Sequence, residues 1–171
     1  PFQLRTMPSN CLLVLCGVDT QDNRFEYVVW GYGRGLESWT IDAGKIYGDP
    51  GSQDTRDKLR DFLAETRYLH ESGQDVAIMA TAIDEQGHRT QAVRQFVSEH
   101  ERRLNVFAVA GQSGREKAIK HGVTRVDVDW RGRARKQGLM RWYVGTNMAA
   151  DLFHARLGVT EDTVCQYARA P

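Results

Sequence analysis

The stretch that most constrains this chain runs from Leu12 to Val18, an apolar segment stopped by a charge in Cys16-Gly17-Val18-Asp19-Thr20-Gln21. It is far shorter than the roughly 18–20 residues of a membrane span and lacks a signal-peptide cleavage pattern. An apolar run of this length suits a strand inside a sheet, covered on both faces. A carboxylate closing such a strand is costly unless it reaches solvent, a partner or a metal. The design recurs where Val76 to Ile83 ends in Ala82-Ile83-Asp84-Glu85-Gln86-Gly87-His88. If these strands are neighbours, Asp19 and Asp84 converge in the crevice outside the strand ends, where open α/β sheets bind ligands. Hard carboxylate oxygens there suit Mg²⁺ or Mn²⁺ and not zinc. Two such ions about 4 Å apart can activate water and steady the leaving oxygen of a phosphodiester. Each Asp alone reads equally well as a strand-terminal turn former. Their matching positions favour the site.

The rest of the chain supplies a frame for that pair. Residues 1–10 lack periodicity and read as a connector. Because position 1 is Pro, the chain is expected to be an excerpt of a longer protein. Phe25 to Tyr32 alternates as a second strand, and Ser38 to Asp42 begins a third, giving an antiparallel meander. Gly48-Asp49-Pro50-Gly51 breaks the pattern. Helices are predicted from Asp54 to His70, with Leu59, Phe62, Leu63 and Leu69 on one side, and from Thr90 to Arg103. Val106 to Ala110 is a further strand. Val123–Trp130 and Leu139–Val144 read as a hairpin-like pair, and Thr146 begins a last helix through Leu157. The expected fold is α/β, a mixed sheet flanked by helices with a basic hairpin-like insertion before the last helix. Residues 11–171 form one domain.

Composition narrows the function classes. With 41% hydrophobic and 26% charged residues the chain has the composition of an ordinary soluble globular protein. Cys11, Cys16 and Cys165 are odd in number and without CxxC spacing, which argues against a disulfide framework or structural zinc. A reducing cytoplasm is the expected setting, with Cys11 and Cys16 as small core residues. Net charge is only +1, yet a basic segment stretches from Arg115 to Arg141. Within it Arg131, Arg133, Arg135 and Lys136 suit a phosphate backbone, or equally a solvated loop. No P-loop, G-x-S-x-G elbow or H-E-x-x-H occurs. An Asp after a first buried strand also occurs in actin-like ATPases, but Thr20-Gln21-Asp22-Asn23 lacks the glycine of their phosphate turn. His88 falls close to the candidate cleft and reads as a bystander.

Three blocks carry a family resemblance. They are Gly17-Val18-Asp19-Thr20-Gln21-Asp22-Asn23-Arg24-Phe25-Glu26 with the Trp30 to Trp39 meander, Ile46-Tyr47-Gly48-Asp49-Pro50, and Ile83-Asp84-Glu85-Gln86-Gly87-His88 onward to Val93. Together with Val144-Gly145-Thr146, Asp151-Leu152 and Arg156-Leu157, they resemble the nuclease domain of phage terminase large subunits of the lambda gpA type. The resemblance spans Leu12 to Leu157. It implies an RNase H-like endonuclease that cuts double-stranded concatemeric viral DNA during genome packaging in the host cytoplasm, with a separate ATPase domain elsewhere in the large subunit. Small subunit, portal and procapsid are the implied partners, and no membrane is involved. The implied metal-binding acids are Asp19 and Asp84, with Asp151 on the last helix, or an acid beyond Pro171, as the third. Where the family carries an acid just after Gly-Thr and a Lys three residues on, this chain has Asn147 and Ala150. That departure leaves open a weakly catalytic or non-catalytic DNA-binding and assembly module. Another RNase H-like nuclease, of resolvase or transposase type, is the further alternative.

Overall fold

The apolar strand does lie inside a sheet. A computed structural model describes residues 3–128 and 133–157. Strand β2 (Leu13–Thr20) buries Val14, Cys16 and Val18 on one face. It pairs antiparallel with β3 (Arg24–Tyr32), which pairs antiparallel with β4 (Ser38–Tyr47). On its other side β2 runs parallel to β7 (Ala80–Asp84), and β7 runs parallel to β8 (Val106–Gln112). Beyond β8 lie β10 (Ala134–Gly145), parallel to it, and β9 (Lys120–Val128), antiparallel to β10. The seven-stranded order is β4-β3-β2-β7-β8-β10-β9. The meander, the mixed sheet and the edge hairpin are those expected from the sequence, and the ladders add that β2, β7 and β8 run parallel.

One face of this sheet is the core. Helix α1 (Gln53–Glu65) lays Leu59 and Leu63 on it, and α2 (Thr90–Leu104) adds Val93, Phe96 and Val97. Spacings of three and four residues put each set on one helix face. Ser52 caps α1 by accepting from the Thr55 backbone N–H at 3.3 Å. Cys11 and Cys16 are buried and free, as expected of core residues. Burial, reinforced by the charge of Asp42, pushes the Cys16 thiol up to about 12. It is therefore inert as a nucleophile at neutral pH.

Three expectations change. The helix expected to reach His70 stops at Glu65, and Arg67–His70 is strand β5. Leu69 lies seven residues after Phe62, a helical repeat, but Tyr68 is fully buried and Leu69 half exposed, the alternation of a strand. The single strand expected from Val76 to Ile83 is two, because β6 (Asp75–Ala77) pairs with β5 in a small second sheet and only β7 joins the large one. Residues 1–10 include β1 (Thr6–Met7), which pairs parallel with β5 and buries Met7 in the core. Among the basic residues, Arg131 lies outside the described residues. Arg133 is exposed between the hairpin strands, and Arg135 and Lys136 belong to the β10 backbone.

A bulge between Val29 and Trp30 turns both Ile41 and Asp42 of β4 inward. The buried Asp42 carboxylate accepts from Tyr68 Oη at 3.1 Å and the Ala43 N–H at 2.9 Å, and pairs with Arg5 at 3.4 Å. Tyr68→Phe removes a hydrogen bond to a buried charge. It is expected to cost about 1.5–3 kcal/mol in urea unfolding, with an unchanged m-value. A loss below about 0.5 kcal/mol would show that Arg5 and the backbone suffice for Asp42.

Candidate metal centre

Register places the two strand-closing carboxylates side by side. Val18 pairs with Ile83 across the parallel β2–β7 ladder, so the next residues, Asp19 and Asp84, are neighbours at the strand ends. Strands so paired lie about 4.8 Å apart. Since Val18 and Ile83 face the core, Asp19 and Asp84 both project from the opposite sheet face. Gly17 and Ala82 lie two residues before them on that face, a floor without bulk.

Each carboxylate is tethered through one oxygen. The Gln86 N–H donates to Asp84 Oδ1 at 3.0 Å, and Gln21 Nε2 donates to Asp19 Oδ2. Thr20 Oγ1 donates to the Asp84 carbonyl at 3.0 Å and so clamps the two strand ends. Gln86 also accepts from the Gly111 N–H at 2.6 Å, tying the turn after β7 to the end of β8. A side chain at Gly111 would crowd this tie, since a Cβ would stand 2.8 Å from Thr146 Cγ2 and 3.0 Å from Gln86 Oε1. Burial raises the pKa of Asp84 above its usual value; the Gln86 hydrogen bond works against this, and the charges of Asp19 and Glu85 add to it. A partly buried Asp84 beside the exposed Asp19 sets two like charges together, and such a pair favours a cation between them.

Glu85 points the other way. It is buried on the core side and pairs with Arg94 of α2 at 3.2 Å and with Arg141 of β10. No local sequence signal singles out Gln86, Thr20 or the Glu85 ion pairs, since their partners are remote along the chain.

The candidate third acid lies on the last helix. Helix α3 (Thr146–Leu157) follows β10 directly and carries Asp151 exposed to solvent. Among the described residues, no group of three or more acidic, His or Cys side chains is placed to hold one metal. Asn147, where the resemblance implies an acid, accepts from the Gly114 N–H at 2.8 Å. His88 lies 3.3 Å from Asp22 at the rim and touches neither carboxylate of the pair. A mainly apolar cavity of about 730 Å³, lined by Trp30, Tyr32, Ala149, Leu152 and Phe153 among others, sits at the opposite end of β3 from Glu26, the residue paired with Asp19. It is not this centre.

The family model for the terminase large subunit gpA, endonuclease domain, matches residues 1–168. The chain belongs to that family. This gpA endonuclease domain is 27% identical over 151 residues to the terminase large subunit of Enterobacteria phage P21, covering 88% of the chain and 22% of that protein. It is 24% identical over 156 residues to the terminase large subunit of Escherichia phage lambda, covering 91% of the chain and 23% of that protein. It thus spans less than a quarter of the length of these relatives. No solved structure matches it significantly. No helix among its described residues is long and apolar enough to cross a membrane.

Proposed function

We propose that this gpA-type domain is a divalent-metal-dependent endonuclease of the RNase H-like class, cutting double-stranded concatemeric viral DNA during packaging in the host cytoplasm. The observation that carries the reading is the juxtaposition of Asp19 and Asp84 on one face at the ends of β2 and β7. The order β4-β3-β2-β7-β8, an antiparallel meander continued by parallel strands, supports the RNase H-like assignment. Packaging is supported by the terminase relatives, whose remaining length would supply the ATPase domain and the contacts to small subunit, portal and procapsid.

The pair fits Mg²⁺ or Mn²⁺. Mg²⁺ is commonly held by one or two carboxylates with water and substrate phosphate oxygens filling the rest. Each Asp keeps one oxygen clear of its tether, and among the described residues no His or Cys joins the pair in a metal-binding group. When bound, such an ion supplies Lewis-acid polarisation of the phosphodiester and a more acidic water. The chain's own part is positional: Thr20 and Gln86 fix Asp84, Gln21 turns Asp19, and Gly17 and Ala82 leave space above the sheet. We assign Asp151 as the acid on α3 that would serve a second ion. The basic residues Arg131, Arg133, Arg135 and Lys136 would hold backbone phosphates.

Nicking of supercoiled plasmid by the 171-residue chain in Mn²⁺, and its loss in EDTA, tests the activity. The lack of a third acid in the described cluster favours a second reading, a DNA-binding and assembly module without catalysis. Calorimetric titration with Mn²⁺ separates the two. Uptake that depends on Asp19, together with nicking, supports the nuclease. DNA binding with neither uptake nor nicking supports the module.

A further inference from the structure

On the helix side of the sheet, at the same end as the carboxylate pair, lies a polar cavity of about 280 Å³. Its lining includes Gly51, Arg56, His88, Arg89, Gln91 and Ala92. Arg56 is more than nine-tenths buried, and no carboxylate among the described residues pairs with it. Its Nη atoms donate to the Pro50 carbonyl at 3.2 Å, the Gly51 carbonyl at 2.6 Å and Gln53 Oε1 at 2.8 Å, while its Nε has no partner. A buried guanidinium with only neutral acceptors is an uncompensated charge, costly unless an anion completes it.

Two helices begin at this cavity. Gly51 precedes the Ser52 cap of α1, and Gln91 and Ala92 stand in the first turn of α2. That first turn has no acidic residue, and Arg89 at its cap position gives no side-chain acceptor. Its N–H groups and the positive end of the helix dipole are left for an outside acceptor. Arg89 contributes a second guanidinium with its Nε buried and unpartnered. It is offset in part by Asp49 at 3.1 Å, and Asp22 lies beside His88 at the rim. Gly87, with φ 106°, turns the chain between Asp84 and this helix start. His88 is four residues from Asp84, so no more than about 14 Å of chain separates cavity and carboxylates.

We propose that this cavity is a phosphate-binding pocket that takes a backbone phosphate of the DNA strand lying across Asp19 and Asp84. The DNA part of this assignment rests on the nuclease reading above. The phosphate part does not. A strand anchored by one phosphate at the starts of α1 and α2 reaches the carboxylates by crossing the ends of β2 and β7, because Asp19 and Asp84 project from the other sheet face. The pocket therefore acts in positioning and not in bond breaking.

Gln91→Glu is the test variant, because an acid in a first helical turn favours folding while placing a carboxylate in the cavity. Arg56→Met removes the floor charge and serves as the second variant. In metal-free buffer with EDTA, inorganic phosphate is expected to raise the wild-type melting temperature beyond chloride at equal ionic strength. Gln91→Glu should abolish that rise. Under the same conditions duplex DNA should bind Gln91→Glu about tenfold more weakly, with the salt slope reduced by about one. Phosphate protection that is absent in wild type, or that persists in Gln91→Glu, overturns the pocket. Protection lost with duplex affinity and salt slope unchanged overturns the DNA assignment and leaves a site for free phosphate. Cleavage plays no part in either readout, so failure of the nuclease reading would appear only in the nicking assay.

Discussion

Asp19→Asn and Asp84→Asn are each expected to lower Mn²⁺-dependent plasmid nicking by about a thousandfold, while Asp84→Asn makes the metal-free domain more stable at neutral pH. The first figure follows from several kcal/mol of charge stabilisation at the phosphodiester, at about 1.36 kcal/mol for each factor of ten. The second follows from the surroundings of Asp84. Burial raises its pKa in the folded chain above the ordinary value of 3.8, and the neighbouring Asp19 charge adds to this. A carboxyl with a raised folded pKa contributes stability that is full below its unfolded pKa and is lost as pH rises through the folded one. At pH 7 the wild type therefore bears the whole cost of ionised Asp84, and Asn does not. Asn can still accept the Gln86 N–H through its Oδ1, so the turn is preserved. Melting curves in EDTA should coincide for wild type and Asp84→Asn below about pH 3.8 and separate as pH rises, the variant melting higher. Added Mn²⁺ should reverse the order by stabilising only the wild type. A variant that melts lower than wild type in EDTA at pH 7 would mean that Asp84 is held by favourable contacts and is not strained toward a cation.

This centre was half legible in the sequence. Asp19 and Asp84 stood out because a charge ending an apolar run needs a reason, and that signal is local. Whether they meet depends on β2 and β7 being neighbours, a condition that the runs leave open and the ladder supplies. Gln86 carries no local signal of its role, because its bond to Gly111 joins residues 25 apart. The helix overrun at Arg67–His70 has a similar cause. Leu69 keeps helical spacing from Phe62, and only pairing with β1 and β6 makes that segment a strand. The break at Ile78 and Met79 is hidden inside a continuous apolar run. Terminase membership was legible from the Asp19 and Asp84 motifs, whereas Asp151 had only its helix position to recommend it.

Glu85→Gln is expected to cost about 3–5 kcal/mol, more than any other single polar change in the described core, because it leaves guanidinium charge from two elements around a buried neutral amide. Glu85 is 2% exposed, and its partners Arg94 and Arg141 are each about one-fifth exposed. For a domain of this size that loss lowers Tm by about 10 °C. The effect should persist in 0.5 M NaCl, because buried pairs are poorly screened, whereas an exposed pair such as Lys58–Asp54 should lose its small contribution there. The structural reach of this triad is what makes it functionally relevant. Arg94 sits on α2 and Arg141 on β10, so Glu85 fastens β7 to elements on two sides, one residue after the candidate metal ligand Asp84. Its backbone joins in, with the Glu85 N–H donating to Val109 at 3.0 Å and its carbonyl accepting from Thr90 Oγ1 at 2.7 Å. Glu85→Gln should accordingly weaken Mn²⁺ uptake at temperatures well below its Tm, about tenfold by analogy with groups that orient metal ligands. Replacing Glu85, Arg94 and Arg141 together by apolar residues of similar volume should recover Tm without recovering that affinity. Recovery of both would show that packing alone, and not the ion pairs, sets the end of β7. A Tm within about 2 °C of wild type for Glu85→Gln would refute the buried-charge account altogether.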